Sequence, residues 1–164
     1  MNDKQLSDWF SKKNIQEVEV IVPDLAGIAR GKLVPADKFL NNTAIRLPES
    51  VFTQTVTGEF LEVPVINPAD RDVIVKSDLN TLRLLPWEET TASVVNDCFY
   101  EDGSPVDISP RQVLKNVLQK FNDLNIQPIV APELEFYLVK KNTNPKNNVE
   151  PPIGRSGRQE TVRQ

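Results

Sequence analysis

Glu133 and Glu135 stand two residues apart in the apolar run APELEFYLV, residues 131–139. If the run is a strand, its side chains alternate between faces. The two carboxylates then share one face with Tyr137, while Leu134, Phe136 and Leu138 share the other. At a strand's rise of roughly 3.3 Å per residue the acids lie about 6.6 Å apart. Like charges at that spacing repel, more strongly where water is scarce. Water, basic partners or bound cations can each relieve the repulsion. Carboxylate oxygens are hard donors of the kind that hold Mg²⁺ or Mn²⁺. A strand with one wet, charged face is the competing explanation.

The rest of the chain narrows the chemistry. Its 164 residues contain no histidine, which removes His-ligated zinc, a Ser-His-Asp triad and a His general base. Cys98 is the single cysteine, so no internal disulfide forms. It lies in the apolar stretch SVVNDCFY, where a packed thiol is expected rather than a nucleophile. DLAGIARGK (24–32) superficially resembles a phosphate loop. However, Gly27 and Gly31 are separated by three residues where that loop needs four, and Leu33 replaces the required hydroxyl. A hairpin turn is the expected reading. Arg155, Arg158 and Arg163 suit either a solvated loop or bidentate contacts to phosphate or carboxylate. The acids of PWEET are expected in a solvated loop. A net charge of -4 argues against nucleic acid as a partner. No run approaches the ~20 apolar residues of a membrane span. The start MNDKQLSDWF lacks a signal-peptide core, so the cytoplasm is the expected compartment.

The elements that must position these residues are legible in patches. Residues 2–13 suggest a short helix with Asn2 and Gln5 as a capping pair and Leu6, Trp9 and Phe10 as its apolar stripe. IQEVEVIVPD alternates Val18, Val20 and Val22 against Glu17 and Glu19, a half-buried strand ending at Pro23. DLAG turns the chain into an antiparallel strand, IARGKLVP. Residues 35–40 suggest one helical turn. SVFTQTVTGEFLEV is β-prone with a turn near Gly58. VIVKSDLNTLRLLPW reads as strand, turn and strand, with Asp78 and Asn80 in the turn. TASVVNDCFY is a further strand, and EDGSPVD a turn. ISPRQVLKNVLQKFNDLN carries the strongest helix start: Ser109 at the N-cap, Pro110 at the first helical position, Gln112 closing a capping box, and an Ile108–Val113 staple. Val113, Leu114, Val117, Leu118, Phe121 and Leu124 trace its apolar face. The closing 25 residues are too polar to pack alone.

In order and spacing, VIVPDLAGIARGKLVP, RDVIVKSDLNTLRLLPW and APELEFYLV resemble the amino end of the glutamine synthetase family. The last segment is similar to the family's G-P-E-x-E-F strand, with Ala131 in place of Gly. PPIGRSGRQETVRQ resembles the branch that joins glutamate to amines, the gamma-glutamylputrescine synthetases above all. The resemblance implies an α+β fold. A β-grasp amino-terminal domain with a leading helix occupies 1–108, followed at 109–164 by the first helix and strand of a catalytic domain. It implies an ATP-dependent ligase that phosphorylates the glutamate side-chain carboxylate and lets a small, putrescine-like amine displace the phosphate. It assigns Glu133 and Glu135 as ligands of Mg²⁺ or Mn²⁺, with ATP as co-substrate and a homo-oligomer for the full-length protein. The family's F-D-G-S-S-like segment, whose aspartate lies near the ammonium site of a neighbouring subunit, has only LPESVF as a counterpart here, which fits an amine larger than ammonium. The remaining metal carboxylates, nucleotide contacts and glutamate-binding arginine lie beyond these residues. The resemblance therefore assigns no catalytic residue here and implies an amino-terminal portion that is inactive alone. The alternative is a short non-catalytic module that associates with full-length ligase subunits.

Overall fold

The structure is a computed structural model that describes residues 1–41, 44–60 and 69–160. It divides into two units, Met1–Gln127 and Pro128–Gln164.

The first unit is built on a mixed sheet. Strands β1 (Glu17–Pro23) and β2 (Ala29–Pro35) form the expected antiparallel hairpin, with Val20 opposite Lys32. Gly31 is required there, because a Cβ would collide with the Val20 carbonyl oxygen. After the short helix α2 (Ala36–Leu40) come β3 (Ile45–Pro48), β4 (Asp72–Ser77), β5 (Arg83–Leu84) and β6 (Thr91–Phe99). The order across the sheet is β2-β1-β6-β4-β3, with β5 also paired to β6. Among the described residues only the β1–β6 pairing is parallel. Helix α1 (Asp3–Lys13) precedes the sheet, and α3 (Pro110–Asp123) follows it. This is the expected α+β, β-grasp-like arrangement.

Alternation explains the core. Val18, Val20 and Val22 are fully buried from β1, Ala92 and Val94 from β6, and Val73 from β4. Leu6 and Phe10 of α1 close over them, and Phe10 stacks on Phe39 of α2 at 5.7 Å between ring centroids. The apolar stripe of α1 is thus buried as its spacing requires. Its capping box forms in full: Asn2 Oδ1 accepts from the Gln5 amide at 2.9 Å, and Gln5 Oε1 accepts from the Asn2 amide at 3.0 Å.

Three expectations are revised. The capping box of α3 is absent: the Ser109 side chain caps nothing, and the Gln112 amide bonds Asn116 along the helix. Pro110 does occupy the first turn. The β-prone stretch begins instead as a 3-10 turn, Glu49–Thr53, whose residues are all buried. A tight turn follows, with Gln54 bridged to Phe60 and Gly58 at a φ of 89°. Its final part, 61–63, lies outside the described residues. The expected strand at 129–139 has no ladder partner among the described residues, and its side chains are exposed. A strand exists through its neighbours, and the described residues of the second unit supply none.

Strand β6 changes partners halfway. β1 pairs residues 91–95 and β5 pairs Ala92 and Ser93, whereas β4 pairs residues 96–99. Asn96 sits at that change and is fully buried. Its amide nitrogen donates to the Ile21 and Val94 carbonyls at 2.9 Å each, and its oxygen accepts from Ser77 Oγ at 2.7 Å. Asn96→Asp would aim a buried carboxylate at two carbonyl oxygens. The expected loss is more than about 3 kcal/mol, beyond the usual cost of an unsatisfied buried group. Urea denaturation of the variant beside Asn96→Ala checks this: the aspartate should be the less stable of the two.

Candidate functional site

Glu133 and Glu135 lie in the second unit, and both are exposed. Leu134, Phe136 and Leu138 are exposed as well, between 72% and 87%. A face carrying three large apolar side chains in water is unusual for a finished surface. No group of three or more His, Cys, Asp or Glu residues among the described residues could hold a metal ion. The two glutamates fit a Mg²⁺ or Mn²⁺ site in donor type, as hard oxygens, but supply only part of a shell that needs six ligands or so.

The basic tail residues fall on a small hairpin. Ile153 bridges Gln159, the Gly154 amide donates to the Arg158 carbonyl at 2.9 Å, and Gly157 has a φ of 74°. Arg155 and Arg158 project from this turn and are exposed, as a solvated loop would have them. Arg163 lies outside the described residues. Glu88 and Glu89 of PWEET are likewise exposed.

The first unit holds two buried carboxylates of consequence. Asp24, in the β1–β2 turn, accepts the Ile28 amide on Oδ1 at 2.8 Å and Arg30 Nε on Oδ2 at 2.7 Å. Arg30 continues to the Thr55 carbonyl at 2.7 Å. The glycine-rich stretch is therefore a hairpin turn, braced against the loop after β3, and not a phosphate cradle. Burial works to raise the Asp24 pKa. The Arg30 hydrogen bond, the Ile28 amide and the Arg30 charge together outweigh it and leave the carboxyl lowered. The sequence signal was available: Asp before a turn, four residues ahead of the amide it caps.

Glu49 is the second. It opens the 3-10 turn, accepts from Tyr100 Oη at 2.6 Å and Arg71 Nε at 3.1 Å, and is almost fully buried. Arg71 also lies over the Tyr100 ring, 3.7 Å from its centroid. Beside it, Asp70 accepts both the amide and the hydroxyl of Ser50, at 2.9 and 2.8 Å. These contacts close the base of the excursion from 49 to 71. Glu49 is thereby committed inside its own fold. It is not a free carboxylate awaiting a cation, and no local pattern in LPESVF revealed its distant partners.

Cys98 is buried on β6. Burial first, and the neighbouring Asp97 charge second, push its thiol up to about 12. A maleimide should leave the native protein unlabelled at pH 7.5 and label it once urea unfolds it; native labelling would contradict a packed thiol. For Asp24 the sign is that of a carboxyl lowered by folding: its stabilisation is present above the ordinary carboxylate range and is lost as pH falls through the folded pKa. Asp24→Asn should be less stable than the parent at pH 7, and the gap should narrow below about pH 4. Denaturation midpoints from pH 7 to pH 2.5 test this, and a gap that stays constant would remove the ionised carboxylate as its cause.

Comparison with known proteins bears on both units. Residues 107–164 match the family model for the glutamine synthetase catalytic domain. Over 147 residues the chain is 34% identical to glutamate–isopropylamine ligase from Pseudomonas sp, covering 84% of this chain and 32% of that protein. It is 30% identical over 145 residues to gamma-glutamylputrescine synthetase of Escherichia coli K12, covering 85% of this chain and 30% of that one. The solved GmaS–ADP complex aligns with a TM-score of 0.60 at 26% identity, over 73% of this chain and 26% of that chain. The chain thus spans about a third of the length of these relatives.

Proposed function

Taking as premise that this chain is a homologue of the glutamine-synthetase-type glutamate–amine ligases, we propose that it forms the amino-terminal part of an ATP-dependent enzyme that makes a gamma-glutamyl amide. The single observation that carries the reading is the run of identity to such ligases through both units. In this reaction the glutamate side-chain carboxylate takes the terminal phosphoryl group of ATP. An amine nitrogen then attacks the acyl phosphate, phosphate leaves, and the amine gives up a proton.

Glu133 and Glu135 would hold Mg²⁺ or Mn²⁺ by one carboxylate each. When bound, such an ion offsets the charge of the transferring phosphoryl group and fixes its geometry. The carboxylates' own part is to keep two oxygens in register on one face of the backbone. The unfinished shell supports a site completed by residues that these units do not contain, together with ATP oxygens.

The amine is proposed to be an alkylamine larger than ammonium, putrescine-like in the first instance. Two observations support this. Relatives at 30–34% identity include ligases named for isopropylamine, putrescine and ethanolamide, beside glutamine synthetases at 30–33%. The carboxylate of LPESVF is also engaged internally by Tyr100 and Arg71 rather than free to meet a small cation.

The test is glutamate-dependent phosphate release from ATP by the complete polypeptide, across ammonium, isopropylamine, ethanolamine and putrescine. Turnover should be higher with an alkylamine than with ammonium. Higher turnover with ammonium would overturn the amine assignment, and no glutamate-dependent release would overturn the ligase reading. Glu133→Gln and Glu135→Gln should each lower turnover at least tenfold, the smallest loss typical of a residue supporting a metal. Each should also raise the Mg²⁺ concentration needed for half-maximal rate.

A further inference from the structure

Helix α3 is attached to the sheet in an unusual way. None of its residues is buried. Val113, Leu114, Val117 and Leu118 are each between 43% and 56% exposed, and Phe121 is half-buried, so apolar packing holds it only lightly. Charged side chains hold it as well. Arg111 spreads its guanidinium over two carboxylates: Nη2 donates to Asp78 at 2.8 Å and Nε to Asp97 at 3.1 Å. Lys115, one turn on, donates to the other Asp97 oxygen. The side chains of the Arg111 fork are between 16% and 26% exposed. Asp78 is itself fixed, because it caps the turn after β4 by accepting the Asn80 amide at 3.2 Å. Asp97 is fixed in β6.

We infer that Arg111 is an electrostatic pin joining the β-grasp sheet to the helix that opens the catalytic-domain match, and that α3 leaves the sheet as a unit when the pin is lost while the sheet stays folded. The two aspartates lie before residue 107, where that match begins, and Arg111 and Lys115 lie within it. The joint therefore bridges the two parts of the family's chain. A helix of this length is marginal in isolation, so its amide protection must come from attachment. Attachment by ions is weakened by salt, whereas attachment by apolar packing is not. The inference rests on this geometry alone and stands or falls independently of the ligase reading.

Hydrogen exchange followed by mass spectrometry on the 164-residue chain tests it. In Arg111→Ala, amides of 113–124 should exchange at least tenfold faster than in the parent, with β1 and β6 unchanged. Arg111→Lys keeps the charge but cannot fork to both carboxylates, so it should behave nearly as the alanine variant does. The parent at about 1 M salt should show a smaller loss confined to the same segment, because partly shielded pairs are screened less than exposed ones. Lys120→Ala, on the same helix but outside the pin, should change nothing. Unchanged α3 protection in Arg111→Ala, or loss shared equally with β6, would each overturn the inference.

Discussion

The side-chain amide of Asn96 is the constraint on which the first unit depends. β6 must serve parallel β1 and antiparallel β5 along its first half and antiparallel β4 along its second. Backbone ladders alone do not fix where that exchange happens. Asn96 does, because both its amide hydrogens and its oxygen are spoken for by β1, by β6 itself and by Ser77 at the end of β4. In a low-dielectric interior each of these bonds is costly to lose, so the register is held within a residue. The consequence runs outward. With Ser77 fixed, the Asp78 amide reaches the Val95 carbonyl at 3.0 Å, and Thr81 Oγ1 accepts the Val95 amide at 2.8 Å. With Asp78 fixed, its carboxylate faces Arg111. A buried amide thereby sets where α3 begins.

A second polar system controls the excursion between β3 and β4. Glu49 and Asp70 close its base, while Asp24 and Arg30 brace the turn that follows it. Buried ion pairs seldom add much net stability over apolar packing, because desolvation offsets the attraction. Their value here is positional. Each carboxylate accepts two hydrogen bonds from groups distant in sequence or across a turn, so few other arrangements satisfy them. The 3-10 turn that results buries Val51 and Phe52 in the core and leaves Val56 and Phe60 outside.

What the sequence disclosed follows from the same physics. The Val18–Val20–Val22 alternation was readable because one face of β1 is wholly buried and its period is set by local geometry. The Asn2–Gln5 box was readable because both partners lie within one turn. The 49–53 turn was not, because Val, Phe and Thr favour strands locally and the groups that override them, Asp70, Arg71 and Tyr100, lie at least 17 residues downstream of Thr53. The capping box of α3 failed for a related reason: Arg111, one residue past Pro110, is drawn to two aspartates, and Gln112 turns along the helix instead. Asn96, Asp24 and Glu49 were visible as residues, but their roles were not, since each is defined by partners that only the fold brings near.

Glu133 and Glu135 show the limit from the other side. Their alternation with Leu134, Phe136 and Leu138 describes a strand with one acidic and one apolar face, yet the segment pairs with nothing described. Alternation encodes which neighbours a strand needs, not that they are present. The apolar face needs a cover, and the acidic face needs counter-charge. The chain spans about a third of its relatives, and the segment falls inside the match to their catalytic domain. On the proposed metal reading, packed side chains would cover the apolar face and cations would answer the acidic one, so the geometry of the two carboxylates would be imposed from outside the segment. That is why neither local spacing nor the exposed backbone alone reveals their chemistry.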